Sequence, residues 1–256
     1  MSGYSTWFRT QSSAFLVLMV LAIAAQSRAA SISYPPQGPV PPGIAFTNIV
    51  ESSGTDAVPL YGTPSATATG MSFLPTPAFQ SNSSGGGADI TDGQLNYTMT
   101  ALPGSGGIPL ITFSESGSYL LTGVGAGTSA SAGATLRATI VEVNGAAIAP
   151  ITLAPVSASV AYSLPADTTG SWGLSLSIDV VAGLAGYGYG MGDIATKANV
   201  VIDNSLSTGS TPTSTAQILK SNLDVFVTPE PGSMALCGVV FAAAGLGRVV
   251  RRRNRR

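Results

Sequence analysis

The chain has 256 residues, 45% of them hydrophobic and only 9% charged, a composition that excludes a disordered polyelectrolyte. It has no histidine and a single cysteine, Cys237. This excludes an internal disulfide framework, zinc sites built from His and Cys, and any catalytic triad that needs a histidine base. The net charge of −1 conceals a segregation: Arg248, Arg251, Arg252, Arg253, Arg255 and Arg256 crowd the end, while residues 30–228 hold three basic side chains against eleven acidic ones. A body that acidic lacks the clustered Lys and Arg that phosphate attraction requires, so no nucleic-acid partner is expected.

In chain order, Arg9 precedes an apolar run from Ala14 to Ala25, which is short for a bilayer core of about 30 Å. Ser27-Arg28-Ala29 then offers small residues at the −3 and −1 positions. This pattern predicts a secretory signal peptide over residues 1–29, cleaved after Ala29 by signal peptidase after entry through the Sec translocon; an uncleaved anchor is the competing reading. Residues 30–43 include the Pro-rich SISYPPQGPVPPG and predict an extended spacer.

Past the spacer, alternation with period two dominates. Leu95, Tyr97 and Met99 alternate with polar neighbours, as do Val156 to Leu164, Trp172 to Val180, and Leu223 to Val227. Each run gives a strand one apolar and one polar face. Asn144-Gly145 between TLRATIVEV and AAIAPITL predicts a hairpin with a type I′ turn. Phe46–Glu51, Ile108–Phe113, Tyr119–Val124 and Ala198–Asp203 complete the expected strands. Gln80–Asp92, Gly125–Gly133 and Gly183–Gly192 are expected to be loops, and no helix is expected in the body. The reading is all-β: a single β-sandwich or jelly roll over residues 44–227, with about 9–11 strands.

The chain closes on VTPEPGSMALCGVVFAAAGLGRVVRRRNRR. Residues 232–250 have the length and apolarity of a transmembrane helix, with Arg248 near enough to its end to snorkel. Arg251, Arg252, Arg253, Arg255 and Arg256 set the topology by staying cytoplasmic, which places the body on the far side, in agreement with the signal peptide. Pro229, Glu230 and Pro231, the adjoining hydrophobic helix and the terminal Arg run, in that order, resemble the PEP-CTERM sorting signal of Gram-negative bacteria. The resemblance covers residues 228–256 alone. It implies recognition of Pro229, Glu230 and Pro231 by a membrane exosortase, with transient inner-membrane anchoring and delivery to the cell surface or extracellular matrix. A plain tail anchor is the competing reading.

The search for chemistry in the body is mostly negative. There is no G-x-S-x-G elbow and no Gly-Lys pair for a phosphate loop, and Cys237 lies within the apolar tail. Asp89 and Asp92, on a Gly-rich stretch, are candidate calcium ligands, with turn formation as the competing role. Tyr187 and Tyr189, beside Asp193, could stack on a sugar; a Gly-rich loop with two half-buried tyrosines is the plainer reading. No cofactor is expected. The function expected first is a non-catalytic structural or adhesive role at the surface or in a matrix, with extracellular polysaccharide as a partner. A lectin-like carbohydrate-binding module, with or without calcium, is the alternative. A secreted glycoside hydrolase working through two carboxylates ranks below both.

Overall fold

The computed structural model describes residues 30–38, 43–67, 69–75, 77, 79–124, 126–190 and 192–227. The expected signal peptide with Ala29, and the tail with Pro229, Glu230, Pro231, the helix expected over residues 232–250 and the arginines, lie outside the described residues. Within them, β1 is Ala30–Tyr34, β2 Ile44–Ser53, β3 Ser65–Ala66, β4 Gly70–Phe73, β5 Gln80–Ser84, β6 Ala88–Ala101 and β7 Leu110–Thr122. Then come β8 Ser129–Val143, β9 Ala146–Thr152, β10 Val156–Ser163, β11 Thr169–Asp179, α1 Val180–Ala185, β12 Ala195–Gly209 and β13 Thr215–Val227.

The strands form two antiparallel sheets. The first has the order β1-β2-β6-β12-β8-β10, with β9 also paired to β8. The second has the order β11-β7-β13-β4-β3, and β5 shares with β4 the free edge of β13. Alternation puts one side of every long strand between the sheets. There Phe46, Phe73, Phe79, Phe113, Leu136 and Ile202 are wholly buried in one apolar core. Tyr119 of β7 and Tyr162 of β10 bridge the sheets as a stacked pair 3.8 Å apart. The architecture is the expected all-β sandwich.

Several details depart from expectation. The first residues of the expected spacer are β1, paired with β2 from Ala30↔Ser53 to Tyr34↔Ile49. The two strands expected over Ile108–Phe113 and Tyr119–Val124 are the single strand β7, because Ser114, Ser116 and Ser118 continue the polar side of the same alternation. Two expected loops are mostly strand. Gln80–Asp92 is β5 and the start of β6 around a turn at Gly85 and Gly86, both with positive φ. In Gly125–Gly133, β8 begins at Ser129, where Ala130 and Ala132 face the core and Ser131 the solvent. Small side chains hid that alternation. The body does contain a helix, α1, whose last three residues overlap the expected loop Gly183–Gly192 and whose six residues are too few to display a helical period. Asp179 caps it by accepting from the Ala182 N–H at 2.8 Å, and Val180 and Leu184 anchor it in the core.

The Asn144-Gly145 turn between β8 and β9 is as expected, with φ of 52° and 77°. β2 carries an irregularity between Thr47 and Val50, where Asn48 has φ 52°. This shift turns Glu51 into the core, where it is fully buried.

Candidate functional site

The outward face of the first sheet is a lattice of hydroxyl and amide side chains. Register aligns Ser52, Gln94, Asp203, Thr135 and Ser157 in one row across five strands. Asp203 accepts from Gln94 Nε2 at 2.6 Å and from Arg137 Nε at 3.2 Å, and the Thr135 and Ser157 hydroxyls are 2.8 Å apart. In the next row Gly133 lies between Ser205 and Ser159. Its missing side chain leaves an open trough of about 350 Å³, lined by Gly133, Thr135, Ser157, Ser159, Asp203 and Ser205. The trough offers hydroxyl donors and acceptors and one carboxylate already held by two partners, which suits hydrogen bonding to a polar polymer.

The calcium candidates do not converge. On β6, Asp89 lies on the core-facing parity of the strand and Asp92 on the opposite one, because three residues separate them. Asp89 accepts from the Asn82 N–H at 2.7 Å. Asp92 fastens the chain after β2: its oxygens accept from the N–H groups of Gly54 and Thr55 and from the hydroxyls of Ser53 and Thr55. Burial pushes the Asp92 carboxyl upward, but these donors together outweigh it and hold the group below its ordinary value. Among the described residues, no three acidic or sulfur ligands gather as a metal site. The tyrosines differ from each other: Tyr187 is exposed, with its hydroxyl 3.3 Å from Thr152 O, while Tyr189 packs against the core. Asp193 ties this segment to the hairpin turn, accepting from Gly190 N at 2.7 Å and Asn144 Nδ2 at 2.9 Å.

A third group lies between the sheets. Glu115 of β7 and Lys220 of β13 are a buried ion pair through Oε2 and Nζ. Asn204 of β12 donates from Nδ2 to the same Oε2 at 3.0 Å. The Tyr61 hydroxyl lies 3.0 Å from Asn204 Oδ1 and 2.9 Å from Gly93 O. Nζ sits 4.2 Å from the centre of the Phe79 ring and 5.5 Å from that of Tyr61. Burial raises the Glu115 pKa despite Lys220 and Asn204, and lowers that of Lys220 despite Glu115, so desolvation outweighs the pair's attraction on both sides. Beside the group, Glu51 accepts from Tyr34 OH at 2.6 Å and from the backbone N–H groups of Leu60 and Tyr61. The sequence reading missed this cluster, although its signal was present. Glu115 stands in phase with Ile111, Phe113 and Tyr119, Lys220 with Ala216 and Ile218, and Asn204 with Val200, Ile202 and Leu206.

Neither a protein-family model nor a curated protein matches the chain. Among solved structures, TmCBM61 in complex with β-1,4-galactotriose aligns at 9% identity and TM-score 0.22, over 79% of this chain and 90% of that one. The family 11 xylanase from Neocallimastix patriciarum aligns at 12% identity and TM-score 0.20, over 78% of this chain and all of the other. The lectin UEA-II complexed with galactose aligns at 11% identity and TM-score 0.24, over 77% and 98%. Likenesses at these TM-scores carry no argument about fold or ligand, and the sandwich rests on its own two sheets.

Proposed function

We propose that this chain is an exported, exosortase-sorted protein of the cell surface or extracellular matrix, with a non-catalytic structural or adhesive role. One observation carries the non-catalytic part: every carboxylate between residues 30 and 227 accepts a hydrogen bond from the chain itself. Glu115 and Glu51 are sealed in the core; Asp92, Asp167, Asp179 and Asp193 fasten turns or cap the helix. Asp56, Asp89, Glu142, Asp203 and Asp224 accept from neighbouring side chains or backbone. A two-carboxylate hydrolase needs an acid and a base facing each other across a substrate cleft. Turnover of oligosaccharides that is lost on a single Asp or Glu change would overturn this reading. The sorting part rests on the order of Pro-Glu-Pro, apolar run and arginines in the tail.

A carbohydrate-binding role is the second reading, favoured by the trough at Gly133. A Cβ built there meets Ser205 Oγ at 3.4 Å, Ser159 Cβ at 3.8 Å and Ala158 O at 3.9 Å, ordinary contacts that the fold accommodates. Gly133→Thr therefore places its Cβ in ordinary contact and sends its two branches into the trough. On a glycan array, wild-type binding that Gly133→Thr abolishes, at an unchanged melting temperature, is the expected result for this reading. Binding unaffected by the substitution would exclude the trough. A chelator should leave any binding unchanged, since Asp89 and Asp92 face opposite sides of β6.

A further inference from the structure

We propose that Lys220 and Asn204 join in an intramolecular amide bond that ties β13 of one sheet to β12 of the other, with Glu115 moving the protons and Tyr61 polarising the carbonyl. The parts needed for amine attack on a carboxamide meet at one point. Glu115 Oε2 accepts from both Lys220 Nζ and Asn204 Nδ2, so one acid touches the nucleophile and the leaving group. The Tyr61 hydroxyl is 3.0 Å from Asn204 Oδ1, the oxygen that gains charge when the carbonyl carbon becomes tetrahedral. The rings of Phe79 and Tyr61 flank Nζ and, with the wholly buried Phe73, exclude the water that would compete as nucleophile. All three strands hold their side chains fixed, which supplies the high effective concentration a slow acyl transfer needs.

The protonation states favour the step as well. Burial lowers the Lys220 pKa and raises that of Glu115, both toward the neutral amine and the neutral acid. The balance is then complete without any added reagent. The ammonium passes a proton to the Glu115 carboxylate, leaving a free amine. Its lone pair forms a bond from Nζ to the Asn204 carbonyl carbon, and the resulting oxyanion is held by the Tyr61 hydroxyl. Glu115 protonates Nδ2 and takes back a proton from Nζ. The Cγ–Nδ2 bond breaks and ammonia leaves. No atom is oxidised or reduced. The product replaces a buried ion pair, whose Glu115 Oε1 has no partner, with a neutral amide and a neutral acid. A chain whose single cysteine excludes an internal disulfide gains a covalent staple through its core by this route.

Trypsin digestion of the full chain, fully denatured and analysed by mass spectrometry, tests the bond directly. Cleavage should occur after Lys197 and fail after Lys220. The fragment beginning at Ala198 should run through Lys220 and be lighter than its sequence by one ammonia. A fragment of residues 198–220 at full mass would overturn the proposal and leave a plain ion pair. So would one lighter by an ammonia yet ending at Lys220, because a succinimide at Asn204-Ser205 loses the same mass but leaves the lysine cleavable. Glu115→Gln should restore both the mass and the cleavage. A cross-link that persists in Glu115→Gln would overturn the role given to the acid. The wild-type digest decides the bond itself even where that variant does not accumulate.

Discussion

A methyl group on Gly117 would lie 1.9 Å from the Leu219 carbonyl oxygen and 2.7 Å from the Trp172 indole. The indole crosses this position to donate from Nε1 to that same carbonyl at 3.1 Å, so neither neighbour can retreat without losing the bond. Gly117→Ala should therefore destabilise the fold by about 2–3 kcal/mol in urea unfolding, as overpacking of a filled core does. Asp92 acts through charge rather than volume. Its carboxyl is held below the ordinary value of 3.8, so it binds its proton less readily folded than unfolded. That contribution is present above the unfolded pKa and is lost as pH falls through the folded one. Asp92→Ala should cost about 1 kcal/mol at pH 7, with a smaller difference from wild type at the lowest pH that still permits folding. Urea midpoints of the two proteins from pH 7 downward check this. At the same scale, sequence reading found the acids beside glycines and missed those sealed in the core. Asp89 and Asp92 stood out because acids near glycines suggest ligands, but three residues on a strand reverse the face. Glu115, Lys220 and Asn204 are far apart in the chain, and only the pairing of β7 with β13, facing β12 across the core, brings them together.

Elements were legible where alternation was strong and their ends marked. β10 and β11 lie within two or three residues of expectation, and Asn144-Gly145 makes its turn because both residues accept positive φ. What remained illegible has two physical sources. Alternation of Ala with Ser has little hydrophobic contrast, so the start of β8 resembled a loop. The helix α1 is specified by its cap and two anchors rather than by a period. This gives its stability a single point of control. Asp179→Ala removes the side chain that accepts from the first turn and should cost about 1 kcal/mol by urea unfolding. Asp179→Asn or Asp179→Ser should recover most of that, because either oxygen can accept the same N–H. A loss equal in all three variants would mean that the cap contributes nothing and that Val180 and Leu184 alone hold α1 in place.

At the scale of the molecule, the sandwich separates its two ends. Ala30 pairs with Ser53, level with the middle of the first sheet, whereas Val227 pairs with Ile111 at the end that also holds Gly43, Gly107 and the exposed Tyr187 and Ile194. A tail anchored over residues 232–250 would hold that end toward the bilayer and present the turns at Gly85, Val124 and Pro212 outward. The sorting proposed above would depend on the short segment between Val227 and the apolar run. Glu230 is the only charge in Pro229-Glu230-Pro231 and stands before the first apolar residue of the anchor. Glu230→Ala leaves apolar length and flanking arginines unchanged, and these determine insertion and orientation. The variant should therefore still reach the membrane with the same topology. Recognition by a processing enzyme loses its one charged contact, a type of hydrogen bond about twice as strong as a neutral one. The expected outcome is a full-length, membrane-retained C-terminus in Glu230→Ala and a shortened one in wild type, read by mass spectrometry of membrane and medium fractions. Removing Arg251, Arg252, Arg253, Arg255 and Arg256 together should act differently, weakening orientation and retention before processing begins. Equal shortening and release of wild type and Glu230→Ala would make the tail a plain anchor cut by an unspecific protease.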